Sequence, residues 1–505
     1  MSEPVVLHLD SVTKRFGSFA ANDNISITLH RGEVVALLGE NGAGKTTLMN
    51  ILFGHYVPDE GEVYINGSKI AQGKPKEAIA AGVGMVHQHF SLAKNLTVLE
   101  NVMTGTEPLL GWKSDTAKGR QKLRALEQKF GLSVDADARV GDLSVGEQQR
   151  VEILKALYND ARILILDEPT GVLTQHEAEG LFQTLRVMAQ DGLSIIFISH
   201  KLNEVMKGAD RVVVLRAGKV IAERATSQTS KEELAELMVG RRVERPVREA
   251  STPGAVVVRA RDVVVQAGAV TRLSGISFDI RAGETLGIVG VSGNGQAALC
   301  DLVAGVVQAD SGAFEIDGQP VAQLTPRDLS GMNVGRTPED RNTQGAVGEL
   351  TLWENAVLER ISDPRFSRQG FLRKAPARAY CQALIERFDV RGGTPNSRIS
   401  LLSGGNMQKL ILGRSLAQRP VFLLAAQPTR GLDEGAIAAI HEDILAARKG
   451  GTAVLLVSED LDEVISLSDR IMAIHAGRLS PAVDAQGVDA RQLGLMMAGE
   501  WGGMR

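Results

Sequence analysis

Short apolar runs recur along the chain, and stretches with helix-like spacing separate them. Runs rich in Val, Ile and Leu, each of strand length, occupy residues 34–38, 163–166 and 195–198, as expected of parallel strands buried on both faces. Residues 122–127 and 380–388 instead mix polar and apolar positions in the manner of helices. The pattern predicts an α/β fold. None of the runs approaches the roughly 20 apolar residues that a bilayer-spanning helix needs.

The sequence contains an internal duplication. Residues 33–42 resemble residues 284–293, and residues 211–218 resemble residues 470–477. The offset between the copies is 290 − 39 = 251 residues at a glycine-rich loop and 403 − 144 = 259 residues at a later Leu-Ser element. About eight extra residues therefore lie in the second copy between these points. Helical inserts tolerate such changes better than buried strands do, so we expect a helical insert in each copy.

A charged stretch with two prolines and no apolar period joins the copies, which is typical of a linker. We therefore expect a first domain at residues 1–243, a linker at 244–254 and a second domain at 255–505. A chain of 505 residues is long enough to divide in this way. The net charge of −4 gives no sign of nucleic-acid binding.

Cysteine usage indicates a reducing compartment. Cys300 and Cys381 lie far apart without a CxxC pattern, which favours buried free thiols over a disulfide or a metal site. The first residues lack a basic region followed by an apolar core, so no secretory signal is expected. We expect a cytosolic protein, or one that reaches a membrane only through a partner.

Residues 39–47 read Gly-Glu-Asn-Gly-Ala-Gly-Lys-Thr-Thr and fit the phosphate-loop pattern G-x-x-x-x-G-K-[ST]. An apolar strand precedes them and a helix-like stretch follows, so backbone N–H groups can surround phosphate oxygens at a helix N-terminus. Lys45 can reach the β- and γ-phosphates, and the Thr46 hydroxyl can join a Mg²⁺ shell. A turn without a ligand would need neither residue. We predict a nucleoside-triphosphate site lined by Gly39, Glu40, Asn41, Gly42, Ala43, Gly44, Lys45, Thr46 and Thr47.

Two adjacent acids, Asp167 and Glu168, directly follow the apolar run at 163–166. Burying two carboxylates there is costly unless a cation or a water network uses them. Asp167 suits the Mg²⁺ shell, and Glu168 suits the polarisation of an attacking water. A solvated strand end is the alternative, and the phosphate loop in the same half weighs against it.

Three further residues gain meaning only from their context. Phe16 precedes the phosphate loop and could stack on an adenine ring, although spacing alone fits a core aromatic equally well. Gln88 follows one apolar strand and His200 closes another. Taken singly, neither would indicate a site, and a lone histidine is more often structural. His87 and His89 fit surface or packing roles better than metal binding.

The order of these elements carries a specific resemblance. Five elements follow one another along the chain: the phosphate loop, Gln88, the Leu-Ser-Val-Gly-Glu-Gln segment from residue 143, Asp167-Glu168-Pro169 and His200. Their order resembles that of the ATP-binding-cassette (ABC) family, and the resemblance covers nearly the whole chain, once in each copy. The resemblance implies two tandem P-loop NTPase domains of the ABC type, each with a helical insert, that bind ATP and Mg²⁺. It makes Gln88 the Q-loop residue, with catalytic and metal-binding roles. Ser144 then opens the signature motif, and His200 is the switch histidine that contacts the γ-phosphate.

Two fused cassettes resemble the ATPase subunits of bacterial sugar and nucleoside importers. Finer features favour the nucleoside branch, and they lie at residues 338–341, 425–433 and 493–499. The resemblance implies two integral membrane permease subunits as partners, and through them an extracytoplasmic substrate-binding (lipo)protein. It also implies a position at the cytoplasmic face of the inner membrane and no nucleic-acid partner. Whether the cassettes pair within one chain or across two copies of the chain is left open.

The second copy has lost the charged residues of the site. The two offsets align Gln296 with Lys45, Ala297 with Thr46, Glu339 with Gln88, Ala426 with Asp167, Gln427 with Glu168 and Glu459 with His200. We expect no hydrolysis there, because an anionic Glu459 would repel a γ-phosphate. The second signature, at residues 402–406, is closer to the family pattern than the first, in which Val145 places a branched side chain where backbone should approach phosphate.

Cassettes of the family pair head to tail, so the resemblance implies that Ser403, Gly404 and Gly405 face the ATP held by the first phosphate loop. One competent site and one degenerate site would follow. A soluble twin-cassette ATPase that acts on ribosomes or DNA is the alternative function, and the short linker and the charge balance weigh against it. A non-catalytic, nucleotide-gated module is a third, and the intact first copy weighs against that.

Overall fold

The structure, a computed structural model, describes residues 3–17, 19–87, 90–106, 115–170, 173, 175–240, 246–250, 252–268, 270–291, 293–321 and 325–501. Packing divides the chain into two units, Met1–Val243 and Glu244–Arg505. Every helix within the described ranges is too short or too polar to cross a bilayer.

The strands of the first unit form two sheets. In chain order they are β1 Val5–Phe16, β2 Phe19–His30, β3 Val34–Leu38, β4 Glu60–Ile65, β5 Ser68–Lys69, β6 Val83–Val86, β7 Ile163–Asp167, β8 Ser194–Ser199, β9 Arg211–Arg216 and β10 Lys219–Ala225. The antiparallel sheet has the order β2-β1-β4-β5, and the second sheet has the order β10-β9-β3-β8-β7-β6. In the second sheet β9, β3, β8, β7 and β6 run parallel, and the edge strand β10 is antiparallel.

Helices cover this parallel sheet. They are α1 Lys45–Phe53, α2 Pro75–Ala80, α3 Val98–Met103, α4 Thr116–Phe130, α5 Val145–Tyr158, α6 Gln175–Gln190, α7 Leu202–Gly208 and α8 Lys231–Val239. All five residues of β3 are buried. Val34, Ala36 and Leu38 pack into the cluster that holds the α3–α5 side chains, whereas Val35 and Leu37 pack into the cluster of α1 and the antiparallel sheet. Burial on both faces explains why the run is continuously apolar.

The second unit repeats this architecture. Its strands are β11 Val256–Ala267, β12 Val270–Arg281, β13 Thr285–Val289, β14 Ser311–Ile316, β15 Gln319–Pro320, β16 Val334–Thr337, β17 Ser367–Arg368, β18 Phe371–Leu372, β19 Phe422–Ala426, β20 Ala453–Ser458, β21 Arg470–His475, β22 Arg478–Leu479 and β23 Val483–Asp484. The antiparallel sheet is β12-β11-β14-β15, and the larger sheet is β16-β19-β20-β13-β21-β22 with β23 beside β21. Strands β16, β19, β20, β13 and β21 are parallel, so the α/β prediction is confirmed in both halves.

The helices of the second unit are α9 Gln296–Val303, α10 Pro326–Gly331, α11 Leu352–Val357, α12 Lys374–Arg387, α13 Gly404–Leu416, α14 Glu434–Lys449, α15 Leu461–Leu467 and α16 Ala490–Met497. Helices α3 and α4 lie in the predicted insert of the first half, and α11 and α12 in that of the second. The second insert also contains the β17–β18 hairpin, which the helix-like pattern did not predict. Phe371 in this hairpin is exposed, so the strand has no buried apolar face from which a sequence pattern could predict it.

Part of the predicted linker lies against the second unit. Arg248 forms an ion pair with Asp469 at 2.7 Å, and Lys449 pairs with Glu249 at 2.8 Å. The backbone carbonyl of Glu249 also accepts a hydrogen bond from Arg448 at 3.0 Å. These contacts hold the described part of the stretch to the body that follows it.

Candidate nucleotide site

The phosphate loop joins β3 to α1, and packing requires glycine at two of its positions. A Cβ on Gly39 would lie 2.3 Å from the Leu215 carbonyl oxygen. Gly44 has φ +98°, and a Cβ there would lie 2.1 Å from the Ala21 carbonyl oxygen. The Gly44 carbonyl accepts a hydrogen bond from Nδ2 of the buried Asn22 at 3.1 Å. Neighbouring strands therefore fix both ends of the loop. Because glycine has no side chain, a ligand can approach the loop backbone closely at these positions.

Lys45 is the first residue of α1, and only 6% of its surface is exposed. Its ammonium group donates to the carbonyl oxygens of Gly39 at 2.7 Å and Glu40 at 2.9 Å. Hydrogen bonds from an ammonium to charged phosphate oxygens are stronger than those to neutral carbonyls. The loop thus stores a buried positive charge that a phosphate can attract away from the carbonyls. Thr46 follows it and is exposed.

Asp167 ends β7 beside this loop and is almost fully buried. Burial, and after it the adjacent Glu168 charge, raises the pKa of its carboxyl to about 6, although the Lys45 charge acts in the opposite direction. A cation bound beside this carboxyl would stabilise its ionised form, which burial otherwise disfavours. Carboxylate and hydroxyl oxygens are ligands that Mg²⁺ takes, so Asp167 and the exposed Thr46 fit that ion.

Glu168 has the opposite electrostatic character. It adopts φ +46°, a left-handed conformation that is costly for a residue other than glycine, and its N–H donates to the Ile198 carbonyl at 3.2 Å. Its Oε1 lies 3.1 Å from His200 Nδ1. That hydrogen bond is the main cause that lowers the pKa of Glu168, against the effect of its burial. Two adjacent carboxyls therefore have pKa values shifted in opposite directions, which is typical of a site that gives them different roles.

His200 directly follows β8, the strand between β3 and β7. Lys45, Asp167, Glu168 and His200 thus all lie just beyond the carboxyl ends of three neighbouring parallel strands. Ligands of open α/β sheets bind at such an edge. The structure brings together these four side chains, all of which the sequence selected in the first half.

Glu204 supports this edge, and the sequence analysis missed it. Its carboxylate accepts hydrogen bonds from Ser199 Oγ at 2.8 Å and from Thr170 Oγ1, so it joins the loops that follow β8 and β7. The same pair recurs in the second unit, where Thr429 Oγ1 donates to Glu463 at 2.7 Å. Recurrence at the 259-residue offset was a signal that could have identified it.

Two predictions concern residues at the margin of the site. Phe16 is 48% exposed, so it is not a core aromatic; its ring packs edge-on against Tyr56, with 5.7 Å between centroids. Tyr56, also exposed, is a second aromatic that the sequence analysis did not select. Gln88 lies outside the described residues, as does His89.

The first-unit signature is closed by its own capping box. Ser144 is the N-cap of α5, and its hydroxyl donates to Glu147 Oε2 at 2.7 Å while the Ser144 N–H donates to the same oxygen at 2.9 Å. These bonds lower the pKa of Glu147 and keep it ionised. A carboxylate therefore occupies the helix N-terminus that a phosphate would need. The Ser-x-x-Glu spacing of Ser144 and Glu147 is the sequence pattern of such a capping box.

The second-unit signature has the opposite arrangement. Ser403 is the N-cap of α13, and its side chain accepts no capping hydrogen bond from the backbone of the described residues. Instead Asn406 Nδ2 donates to Ser403 Oγ at 2.9 Å, and Asn406 Oδ1 accepts from the Arg391 N–H at 2.7 Å, which fixes the orientation of the amide. The Ser403 hydroxyl keeps its proton to donate, and the capping partner is neutral. This helix start suits an anion.

The second phosphate loop has lost its positive charge. Gln296 begins α9 and is 8% exposed, and its Oε1 has no hydrogen-bond partner among the described residues. Gln427 adopts φ +47°, close to the backbone conformation of Glu168. The small pocket beside them is also lined by Glu339 and Glu459, and burial raises the pKa of Glu459. Backbone geometry is kept in this copy while the charges that would bind a triphosphate are replaced.

Comparisons with known proteins identify the family of the chain. A family profile described as ABC transporter matches residues 22–171 and 273–430. The chain is 43% identical over 501 residues to the nucleoside import ATP-binding protein NupA of Lactococcus lactis subsp. cremoris, covering 99% of both chains. It is 42% identical to the guanosine import ATP-binding protein NupO of Bacillus subtilis, covering 98% of this chain and 97% of the relative. It is 43% identical to the glucose import ATP-binding protein TsgD13 of Haloferax volcanii, covering 99% and 96%.

Among solved structures, an archaeal ribosome recycling factor aABCE1 in complex with the stalk protein aP1 aligns with a TM-score of 0.65 at 20% identity, covering 97% of this chain and 92% of that chain. This likeness concerns the twin-cassette fold alone. The family match covers well over half of the chain, and the relatives match it from end to end. The chain therefore belongs to the ABC transporter family and carries the ATP-binding cassette of that family twice.

Proposed function

We propose that the chain is the ATP-hydrolysing subunit of an ABC importer, with a single competent ATP site built on the phosphate loop of the first unit. One observation carries the proposal. Lys45, Asp167, Glu168 and His200 lie at one edge of the first parallel sheet, and uncharged or acidic residues replace all four in the second unit.

Each residue has a role that follows from its chemistry. Lys45 transfers its hydrogen bonds from loop carbonyls to the β- and γ-phosphates. Glu168, kept ionised by His200, orients and polarises the attacking water. His200 is placed to contact the γ-phosphate as well. For Gln88 we propose the catalytic and metal-binding roles that the family resemblance implies, and for Phe16 stacking on the adenine ring.

Mg²⁺ completes the charge balance. Thr46 and Asp167 would hold the ion, which when bound neutralises charge on the β- and γ-phosphates. Asp167 must be ionised for this role, and its pKa of about 6 means that the proton is lost near neutral pH. The work of the protein is therefore positioning and electrostatics rather than covalent chemistry.

The second cassette contributes its signature. We infer that Ser403, Gly404 and Gly405 complete the ATP site of a first-cassette phosphate loop, within one chain or across two copies. Support comes from the Ser403 hydroxyl, which keeps its proton to donate, whereas the Ser144 hydroxyl donates to Glu147. The well-formed phosphate loop and the anion-accepting signature then serve one ATP. The degenerate loop and the acid-capped signature form the other pair.

Nucleosides or simple sugars are the proposed cargo, since the relatives are named for the import of nucleosides, guanosine and glucose. The proposed partners are two integral membrane permease subunits and, through them, an extracytoplasmic substrate-binding (lipo)protein. A second copy of the chain is a further candidate partner. The proposed location is the cytoplasmic face of the inner membrane.

Steady-state ATPase assays of the purified chain test the site. We expect Mg²⁺-dependent turnover that falls by about 100-fold or more in Lys45→Ala. Gln296→Ala, the matched change in the second phosphate loop, should remain within about twofold of wild type. Unchanged turnover in Lys45→Ala, or equal losses in both variants, would contradict a single competent site.

Purification of the tagged chain from detergent-solubilised membranes tests the importer role. We expect two integral membrane proteins to co-purify. Recovery with ribosomes or DNA, without membrane proteins, would contradict this role and favour the alternative function. The fold likeness to a ribosome recycling factor does not favour either outcome, because both classes share twin cassettes.

A further inference from the structure

Arg341 lies in the turn that follows β16 and contacts the second-unit signature. The turn is a short π-helical segment, Arg341–Gly345, which Asp340 caps by accepting hydrogen bonds from the N–H groups of Asn342 and Thr343 at 2.9 and 3.2 Å. Arg414 of α13 donates to the Gly345 carbonyl at 2.7 Å and holds the other end of the turn. The turn is therefore fixed against the signature helix.

The guanidinium of Arg341 joins two functional loops of the second unit. Its Nη1 donates to the Arg430 carbonyl at 2.8 Å, in the loop that follows β19. Its Nη2 and Cζ lie 2.8 and 3.1 Å from where a Cβ on Gly404 would be. A side chain at position 404 would therefore displace the guanidinium from its present position. Arg430 in turn forms an ion pair with Glu339, two residues before Arg341.

The first unit has neither partner of this contact. By the offsets of the duplication, 341 − 251 = 90 and 404 − 259 = 145, so Phe90 and Val145 occupy the two positions. Val145 is 42% exposed at the start of α5, next to the carboxylate of Glu147. Arginine and glycine thus occur together in the copy whose signature accepts an anion. Phenylalanine and valine occur together in the copy whose signature is capped by an acid.

From this contact we propose that Arg341 is a positioning residue for ATP hydrolysis: it holds the Ser403–Gly404 turn against the Arg430 loop and places a positive charge beside the anion-accepting helix start. The inference rests on the proposed function, because the signature must serve the ATP bound by the first cassette. A guanidinium suits the role, since its fork can donate to a carbonyl and still face an anion. It acts through the signature rather than on the adenine or the α-phosphate.

The test uses the full chain with Mg-ATP and separates kcat from KM. Arg341→Ala should lower kcat by about tenfold or more while KM and the affinity for a fluorescent ATP analogue change by less than about threefold. Arg341→Lys should recover part of the rate, because the charge remains. Arg398→Ala is the matched control, since Arg398 is an exposed arginine of the same unit with a loose ion pair to Glu349 at 3.6 Å. Thermal unfolding checks that each variant is folded.

A double-mutant cycle tests the contact itself. Gly404→Val copies the first-unit residue and displaces the guanidinium, so Arg341→Ala added to Gly404→Val should cost less than about twofold more. Losses that simply multiply, or an Arg341→Ala rate within about twofold of wild type, would overturn the proposal. Glu168→Gln measured alongside separates the two claims. Wild-type turnover in Glu168→Gln would refute the proposed function itself, whereas an inactive Glu168→Gln with an unaffected Arg341→Ala would refute only the role of Arg341.

Discussion

The carboxylate of Glu168 lies 3.1 Å from Nδ1 of His200, across the ends of two neighbouring parallel strands. An ionised carboxylate can only accept, so Nδ1 is the donor. The bond fixes the ring of His200 and favours the charged form of Glu168, although both side chains are largely buried. In the second unit Gln427 and Glu459 take these positions, and there the Glu459 N–H donates to Gln427 Oε1 at 3.3 Å.

Removal of His200 should change the pH dependence of turnover. The hydrogen bond from His200 is the main cause that lowers the pKa of Glu168, and burial acts in the opposite direction. In His200→Ala the pKa of Glu168 should therefore rise. At saturating Mg²⁺, which keeps Asp167 ionised, the acid limb of the pH–rate profile should then move to higher pH, and kcat should fall by no more than about tenfold. Glu459→Ala is the matched control in the second unit and should leave the profile in place. An unmoved acid limb in His200→Ala would show that the pair does not set the charge of Glu168.

Asp167→Asn should stabilise the nucleotide-free chain while it abolishes Mg²⁺-dependent turnover. The pKa of Asp167 is raised from 3.8 to about 6 in the folded protein, so between these values stability falls as pH rises. At pH 7.5 the ionised carboxylate therefore lowers the free energy of unfolding by up to about 3 kcal/mol, and substitution by asparagine removes this loss. Thermal unfolding at two pH values measures this. The stabilisation should shrink by about half at pH 5, where the wild-type carboxyl is already protonated, and a pH-independent gain would contradict the assignment.

The two signatures should respond differently to charge. Asn406→Glu in the second unit would give Ser403 the capping carboxylate that Glu147 gives Ser144, and we expect turnover to fall by about tenfold or more. Glu147→Gln removes the acid from the first signature and should leave turnover within about twofold. Equal sensitivity of both positions would mean that the two signatures are used alike. ATPase assays on the folded variants decide between these outcomes.

Gly44→Ala should destabilise the first unit more than Gly42→Ala does. Both glycines have positive φ, +98° and +85°, but a Cβ on Gly44 would lie 2.1 Å from a backbone oxygen, whereas no described atom lies within 4 Å of a Cβ on Gly42. We expect a loss of about 1 kcal/mol for Gly42→Ala and about 2–4 kcal/mol for Gly44→Ala. Urea unfolding of the two variants gives the difference. Equal losses would indicate that the loop relaxes around the added methyl group.

The sequence was most informative where function depends on neighbouring residues. The phosphate loop, the Asp167-Glu168 pair and the strand that precedes each of them are continuous segments, so their pattern predicted both the element and the chemistry. The duplication then showed, from the offsets alone, that Gln296 and Gln427 replace charged residues and that the acidic Glu459 replaces His200. The parallel sheet of each unit follows from the continuously apolar runs.

The structure was needed where the partners are distant in sequence. Glu204 joins the loops after β7 and β8 by reaching Thr170, and Tyr56 meets Phe16, and in both cases the partners lie far apart in the sequence. The direction of the Ser403 hydroxyl depends on Asn406, which in turn depends on the Arg391 backbone. Arg341 reaches Gly404 across 63 positions of chain (404 − 341) because β16 and α13 pack side by side. Tertiary packing sets these relationships, and local pattern does not encode them.

The most direct test of a single competent site is the turnover of Glu168→Gln beside Gln427→Glu, the exchange of the same residue types in the two copies. We predict that Glu168→Gln binds Mg-ATP with an affinity within about threefold of wild type but loses turnover by about 100-fold or more, because the water is no longer polarised. Gln427→Glu should hydrolyse ATP at the wild-type rate, since Gln296, Ala297 and Ala426 still leave that copy without its charges. Undiminished turnover in Glu168→Gln, or its rescue by Gln427→Glu in the double variant, would show that the first unit does not hold the single competent site.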